Sequence, residues 1–154
     1  MRITRLFLFV LMALCPLLAR AQRERIPPDD LEVVEKTWPN AKKSSTSLRT
    51  VVLQEGSGET AKAGQFVDVL YTGKLLNGKV FDQSHDPEHP FSFRLGRGFV
   101  IEGWDEGLQQ MRKGEKAVLI VPYELGYGSR GDPPKIPRRA TLVFEVELLN
   151  IRDK

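Results

Sequence analysis

The sequence predicts an α+β domain in which five or six antiparallel strands pack one face against a single short amphipathic helix. From Leu48 onward apolar residues alternate with polar ones, and glycine-bearing turns interrupt them at short intervals. Only Ile101 to about Met111 has helical spacing, with Trp104, Leu108 and Met111 at i, i+4 and i+7. Such short connections suit antiparallel neighbours, because a parallel pair needs a crossover of a dozen or more residues.

Residues 1–21 read as a signal peptide that precedes the fold. Arg2 and Arg5 are basic, Leu6 to Leu18 is apolar, and Ala19-Arg20-Ala21 supplies a small-x-small cleavage site. The apolar run falls short of the roughly 20 residues that span a bilayer, so a cleaved leader is favoured over a retained anchor. Leu14 before Cys15 is too bulky for a lipoprotein site. Residues 22–47 form a polar leader, rich in Pro, Asp, Lys and Ser, that can hold one short helix. Asp29 or Asp30 would cap it, Leu31, Val34 and Trp38 would be its apolar side, and Pro39 would stop it. This arm reads equally as a solvated tail or as a segment that docks or dimerises the protein.

The domain itself is placed at residues 48–154. Arg49–Gln54 is its first strand, ending before Gly56-Ser57-Gly58. Gln65–Tyr71 follows, with Val67, Val69 and Tyr71 on one face. Asn77-Gly78 signals a type I′ hairpin between Leu75-Leu76 and Val80-Phe81. Phe91–Leu95 is closed by Gly96 and Gly98. After the helix come Lys116–Val121 and Thr141–Ile151, the latter with Leu142, Phe144, Val146 and Leu148 inward and Glu145 and Glu147 outward. Phe93, Leu108 and Leu142 read as plain core.

Composition narrows the chemistry. The chain has 23 basic and 20 acidic residues, a net charge of +3. Arg2, Arg5 and Arg20 are the only charges of the leader, so the remaining chain is neutral and offers no field for nucleic acid or anionic membrane. The single cysteine, Cys15, leaves with the leader, removing disulfide and thiol chemistry. Removing 21 of 154 residues leaves 133, enough for one ordinary core.

Three motifs lead nowhere. Gly126-Tyr-Gly128-Ser-Arg-Gly131 has dinucleotide spacing, but Asp132-Pro133-Pro134 prevents the helix that would hold a pyrophosphate. His85 and His89 sit at i, i+4 with Pro87 between them and no third histidine, so no metal site is expected. No G-x-S-x-G elbow is present. No cofactor is expected. By contrast, Tyr71 to Gly107 gathers Tyr71, Phe81, Phe91, Phe93, Phe99 and Trp104, six of thirteen aromatics, among glycine turns. Such a surface suits an apolar side chain and an amide. Trp104, opening the only helix after small or polar neighbours, is an odd choice for mere filling.

Tyr71-Thr-Gly73, Gly78-Lys-Val-Phe81-Asp82, Pro90-Phe91, Gly103-Trp104-Asp-Glu-Gly107, Tyr127-Gly128 and Ala140-Thr-Leu-Val-Phe144 together resemble the FK506-binding proteins, over roughly Val51 to Ile151. That resemblance implies a bent antiparallel sheet wrapped around one short α-helix and peptidyl-prolyl cis-trans isomerase activity. It implies catalytic roles for Tyr71, Phe81, Asp82 and Tyr127, and substrate contacts from Phe91, Val100, Ile101, Trp104, Ile136 and Phe144. Trp104 would be the floor, the Ile101 N–H and Tyr127 hydroxyl the donors, and Asp82 would set polarity by bonding a tyrosine rather than act as a base. Implied partners are proline-containing polypeptides and macrolide inhibitors of the FK506/rapamycin type, with no nucleic acid and no stable membrane span after leader cleavage. A module of this fold that holds proline segments without turnover is the alternative. Lys135, Arg138, Phe99 and Pro87 depart from the family pattern at the pocket's rim, where they bear on substrate preference. An exported protein, periplasmic or secreted, is expected ahead of one in the endoplasmic-reticulum lumen, since Ile151-Arg-Asp-Lys154 lacks a retrieval signal.

Overall fold

A computed structural model describes residues 23–153; the leader expected at residues 1–21 lies outside them. The elements in chain order are α1 (Pro28–Thr37), β1 (Lys42–Lys43), β2 (Arg49–Gln54), β3 (Ser57–Thr60), β4 (Phe66–Leu75), β5 (Val80–Ser84) and β6 (Phe91–Arg94). Then come α2 (Glu102–Leu108), β7 (Arg112–Lys113), β8 (Lys116–Val121), a 3₁₀ turn at Tyr123–Leu125, and β9 (Leu142–Arg152).

The main sheet is antiparallel, in the order β1-β2-β8-β9-β4-β5, and β6 adds a seventh strand on β4. Its seven strands exceed the five or six expected because the two-residue β1 is too short to show a period. β3 and β7 form a separate ribbon. β5 and β6 share one edge of β4 end to end: Val69 pairs with Phe91, and Tyr71 with Ser84. Tyr71 therefore sits at the fork where the chain leaves the sheet as the 85–90 loop.

Alternation places Val67, Val69 and Tyr71 of β4, Ala117, Leu119 and Val121 of β8, and Leu142, Phe144, Val146 and Leu148 of β9 on one buried face. Trp104, Leu108 and Met111 cover it. α2 lies flush on β8 because its contact positions are glycines. A Cβ on Gly103 would meet Val121 at 2.5 Å, and one on Gly107 would meet Leu119 at 2.9 Å. The helix stops at Leu108, three residues short of the expected end. Met111 donates to the Leu108 carbonyl in a turn, yet is fully buried all the same.

β8 is buried on both faces, as its unbroken apolar run suggests. The second cover is the N-terminal arm, whose Ile26 and Val34 pack on Val118, Ile120 and Val143, with Leu31 and Trp38 beside them. Neither Asp29 nor Asp30 caps α1. The preceding residue is Pro27, without a side-chain cap, and Pro28 opens the helix, where a missing N–H costs nothing. Asp30 instead accepts from the Thr141 hydroxyl at 2.7 Å, and the Trp38 N–H closes the helix on Val34 before Pro39. Glu24 bonds Arg49 at 2.9 Å and Lys43 at 2.7 Å. Thr46 reaches Glu106 of α2 at 2.7 Å. Residues 23–47 are thus tied to the sheet and to the helix.

The Asn77-Gly78 connection is a hairpin, but not of the expected type I′. Only Gly78 has positive φ, at 87°, and Gly78 N–H bonds the Leu75 carbonyl. The turn is type I followed by a glycine bulge, the next commonest solution. Among the described residues no helix is long and apolar enough to cross a membrane.

Candidate functional site

The concave side of the sheet opens on a cavity of about 180 Å³ above α2. Trp104 forms its floor and is only 4% exposed, so the indole offers one surface to the hollow and buries the rest. Tyr71 and Phe144 stand edge-on to it, with centroids 4.8 and 5.3 Å away at 87° and 83°. Phe91 completes the wall at 6.1 Å. Edge-to-face contacts of this kind hold rings rigidly. The indole N–H is buried without a partner among the described residues, a cost of about 1–3 kcal/mol relative to a bonded one.

A bulge aims the carboxylate. Gly73 pairs with Asp82 but Lys74 with Val80, so Phe81 is an extra residue in β5. Strict alternation would turn Asp82 away from Phe81; a bulge relaxes that and re-aims the side chain. The Tyr71 hydroxyl donates to Asp82 Oδ2 at 2.7 Å, and the Gln83 N–H donates to Oδ1 at 2.9 Å. Burial first, then the neighbouring carboxylate, pushes the Tyr71 hydroxyl well above the usual phenol range. Burial, Asp82 and Asp132 push Tyr127 in the same direction. Both phenols keep their protons throughout the physiological range. Tyr127 lines the cavity at 40% exposure, presented by the turn that bonds Gly128 N–H to the Tyr123 carbonyl at 2.8 Å.

The other rim is the 96–101 loop. Gly96 and Gly98 take left-handed φ of 68° and 72°, and their N–H groups converge on the two oxygens of Asp105 at 2.7 and 2.9 Å. That clamp fixes Phe99, Val100 and Ile101, all of which line the cavity. Ile101 precedes α2 with an extended ψ of 150°, and its carbonyl starts the helix. Its N–H has no backbone acceptor among the described residues.

Eight of the ten residues named from sequence line this hollow: Tyr71, Asp82, Tyr127, Phe91, Val100, Ile101, Trp104 and Phe144. Phe81 and Ile136 do not. Phe81 stands behind Phe144, edge-on at 5.5 Å and 90°. Both rings cross above Gly73, where a Cβ would meet each at 2.8 Å. Ile136 is 3% exposed and joined to Asp132 by two backbone bonds of 2.9 Å, hooking the 129–139 loop into the core. Phe99, noted from sequence only as a rim departure, lines the cavity while 71% exposed. An aromatic between Gly98 and the helix start was the available signal. No cluster of three or more potential ligands could hold a metal among the described residues. The arrangement can grip an apolar ring and present hydrogen-bond donors to a carbonyl.

Residues 57–149 match the family described as FKBP-type peptidyl-prolyl cis-trans isomerase. The chain is 57% identical over 91 residues to "Peptidyl-prolyl cis-trans isomerase FKBP2" of Mus musculus, covering 59% of this chain and 65% of that one. It is 55% identical over 93 residues to "FK506-binding protein 1A" of Aspergillus fumigatus, covering 60% and 83%. Among solved structures it is similar to FkpA from Escherichia coli, with a TM-score of 0.73, 44% identity and coverage of 80% of this chain and 58% of that one.

Proposed function

The chain belongs to the FKBP-type peptidyl-prolyl cis-trans isomerase family, and on that premise we propose that it accelerates rotation about X–Pro bonds in exported polypeptides by non-covalent stabilisation of the twisted amide. The supporting observation is the aromatic cavity floored by Trp104, with one phenol locked on Asp82 and another, Tyr127, at its mouth.

Rotation is slow because the planar amide loses its resonance on twisting, a barrier of about 18–20 kcal/mol. At the perpendicular geometry the nitrogen is pyramidal and the carbonyl less polarised. Water stabilises that state less than the planar one, whereas a dry aromatic hollow favours it. The proline ring rests on Trp104, and the Ile101 N–H and Tyr127 hydroxyl donate to carbonyl oxygens of the bound segment. A thousandfold acceleration requires about 4 kcal/mol, and one preorganised donor supplies roughly 2.7–4 kcal/mol. Asp82 holds Tyr71 in place and sets the polarity of the wall. Phe81 backs Phe144, and Ile136 anchors the loop that overhangs the hollow.

A protease-coupled assay on X-Pro peptides tests this reading. Tyr127→Phe combined with Phe81→Ala should abolish most of the acceleration; tight peptide binding with no acceleration by the unaltered protein would instead identify a proline-holding module. Export rests on the residue 1–21 pattern, and mass spectrometry of the secreted or periplasmic product should find Gln22 as its first residue. Residues 48–154 act as the isomerase domain, with the arm as its outer cover. The same family reading makes macrolides of the FK506 type candidate occupants of the cavity.

A further inference from the structure

A second hollow, also of about 180 Å³, lies across the Phe81–Phe144 ring pair from the first and is lined by Lys79, Val80, Phe81, Pro134 and Lys135. Phe81 is the partition. Its ring lines this hollow and packs on Phe144, which lines the proline cavity. Three of the five lining residues are apolar, and Val80 is 44% exposed on the edge strand β5.

Two lysines share that lining with the apolar residues. Neither Lys79 nor Lys135 forms an ion pair among the described residues. The nearby carboxylate of Asp82 is engaged by Tyr71 and the Gln83 N–H. The loop bearing Lys135 also carries Arg130, Arg138 and Arg139 against a single acid, Asp132. Arg139 lies over the Tyr123 ring at 5.0 Å, and Arg138 bonds the Ser129 carbonyl at 3.4 Å, so these two have partners inside the protein. Lys79 and Lys135 therefore line this hollow without a counter-ion among the described residues.

We propose that this hollow is a second subsite for the same client chain, taking the side chain of a glutamate or aspartate about three residues from the bound proline. That spacing follows from the two edge-to-face rings between the hollows, 5.5 Å apart at their centroids, and an extended rise of roughly 3.3–3.6 Å per residue. The methylenes of the acidic side chain cover Val80 and Phe81 while its carboxylate meets both lysines. The subsite presupposes the proline-cavity reading above. It adds a preference for an acidic side chain that a cavity whose one charged side chain is the Asp82 carboxylate cannot supply.

The test uses two peptide series around one X-Pro bond, with Glu, Gln or Lys about three residues before or after the proline. Each peptide is measured for kcat/KM and, by fluorescence anisotropy, for affinity, against the unaltered protein and K79Q/K135Q. In one series Glu should exceed Gln by roughly three- to tenfold at low salt, the scale of two partly exposed ion pairs, and Lys should fall below Gln. The preference should shrink in about 1 M salt, where the Debye length is near 3 Å, and the Glu-to-Gln ratio should collapse toward one in K79Q/K135Q. Glu and Gln within twofold of each other in both series, or a preference that survives in the double variant, would overturn the subsite. Because affinity is read without turnover, a Glu preference in binding with no rate acceleration for any peptide would sink the isomerase reading and leave the subsite standing.

Discussion

Replacing Gly103 by alanine tests how α2 sets the height of the cavity floor. The added Cβ would meet Val121 Cγ1 at 2.5 Å and Cγ2 at 3.0 Å. Val121 is fully buried on β8 and paired with Leu142, and its branched side chain cannot swing aside. The helix must therefore lift, taking Trp104 with it. Overpacking of this sort costs about 1–3 kcal/mol, offset by nearly 1 kcal/mol of helix propensity gained on losing a glycine. A net loss of up to about 2 kcal/mol is expected from urea denaturation, together with a drop in kcat/KM for X-Pro peptides larger than the stability loss alone produces. Gly107 is the internal control. The nearest atoms to its Cβ are the Leu119 methyls, at 2.9 and 3.0 Å, the far end of a side chain. Gly107→Ala should lie within about 0.5 kcal/mol of the unaltered protein and keep its activity. Equal stability and turnover in the two variants, or a worse outcome for Gly107→Ala, would refute the idea that contact with Val121 fixes the floor.

Other perturbations follow from the same geometry. Burial pushes the Glu24 carboxyl up, but hydrogen bonds from Arg49, Lys43 and the Ile26 N–H outweigh that and bring it down to about 2. A pKa lower in the folded than in the unfolded state gives stability that is complete above the ordinary value of 4.5 and lost as pH falls toward 2. Its upper bound is about 3 kcal/mol. Glu24→Gln should therefore lose most of its difference from the unaltered protein between neutral pH and about pH 3, measured by urea midpoints; a constant gap would show that the arm is not held by this carboxylate. Asp105→Ala removes both acceptors of the Gly96 and Gly98 N–H groups. It should raise KM for peptide substrates more than it lowers kcat, because the loop carrying Phe99, Val100 and Ile101 loses its anchor; an unchanged KM would count against that clamp.

How much of this could be read from the sequence differs by element. The strands were legible where one face is wet, as in β9, where Glu145 and Glu147 interleave with Phe144 and Val146. They were less so in β1 and β7, two residues each, which exist only because longer strands hold them. The arm's docking was half visible. Leu31, Val34 and Trp38 marked an apolar side, but its counterpart, Val118, Ile120 and Val143, belongs to strands whose other face is the main core. The Asn77-Gly78 turn went astray because type I with a glycine bulge and type I′ use the same residues and differ in backbone alone. At the site, aromatics and glycines announced the cavity, while Phe81 and Ile136 required tertiary knowledge. A ring behind a ring and a ring in the wall look identical in sequence. A bond from Asp82 to a tyrosine was expected, without saying which, and the structure makes it Tyr71; the bulge that permits it was not expected, since a single extra residue leaves no periodic trace.

The account depends on a cavity that relaxes an amide without moving a proton. The pH dependence of kcat/KM for an X-Pro peptide, read between about pH 5.5 and 8 by a protease-free assay, tests this most directly. With Tyr71 and Tyr127 both pushed toward higher pKa, and so protonated throughout, the account predicts a flat profile. A limb with the slope of one titrating carboxylate or imidazole would contradict it.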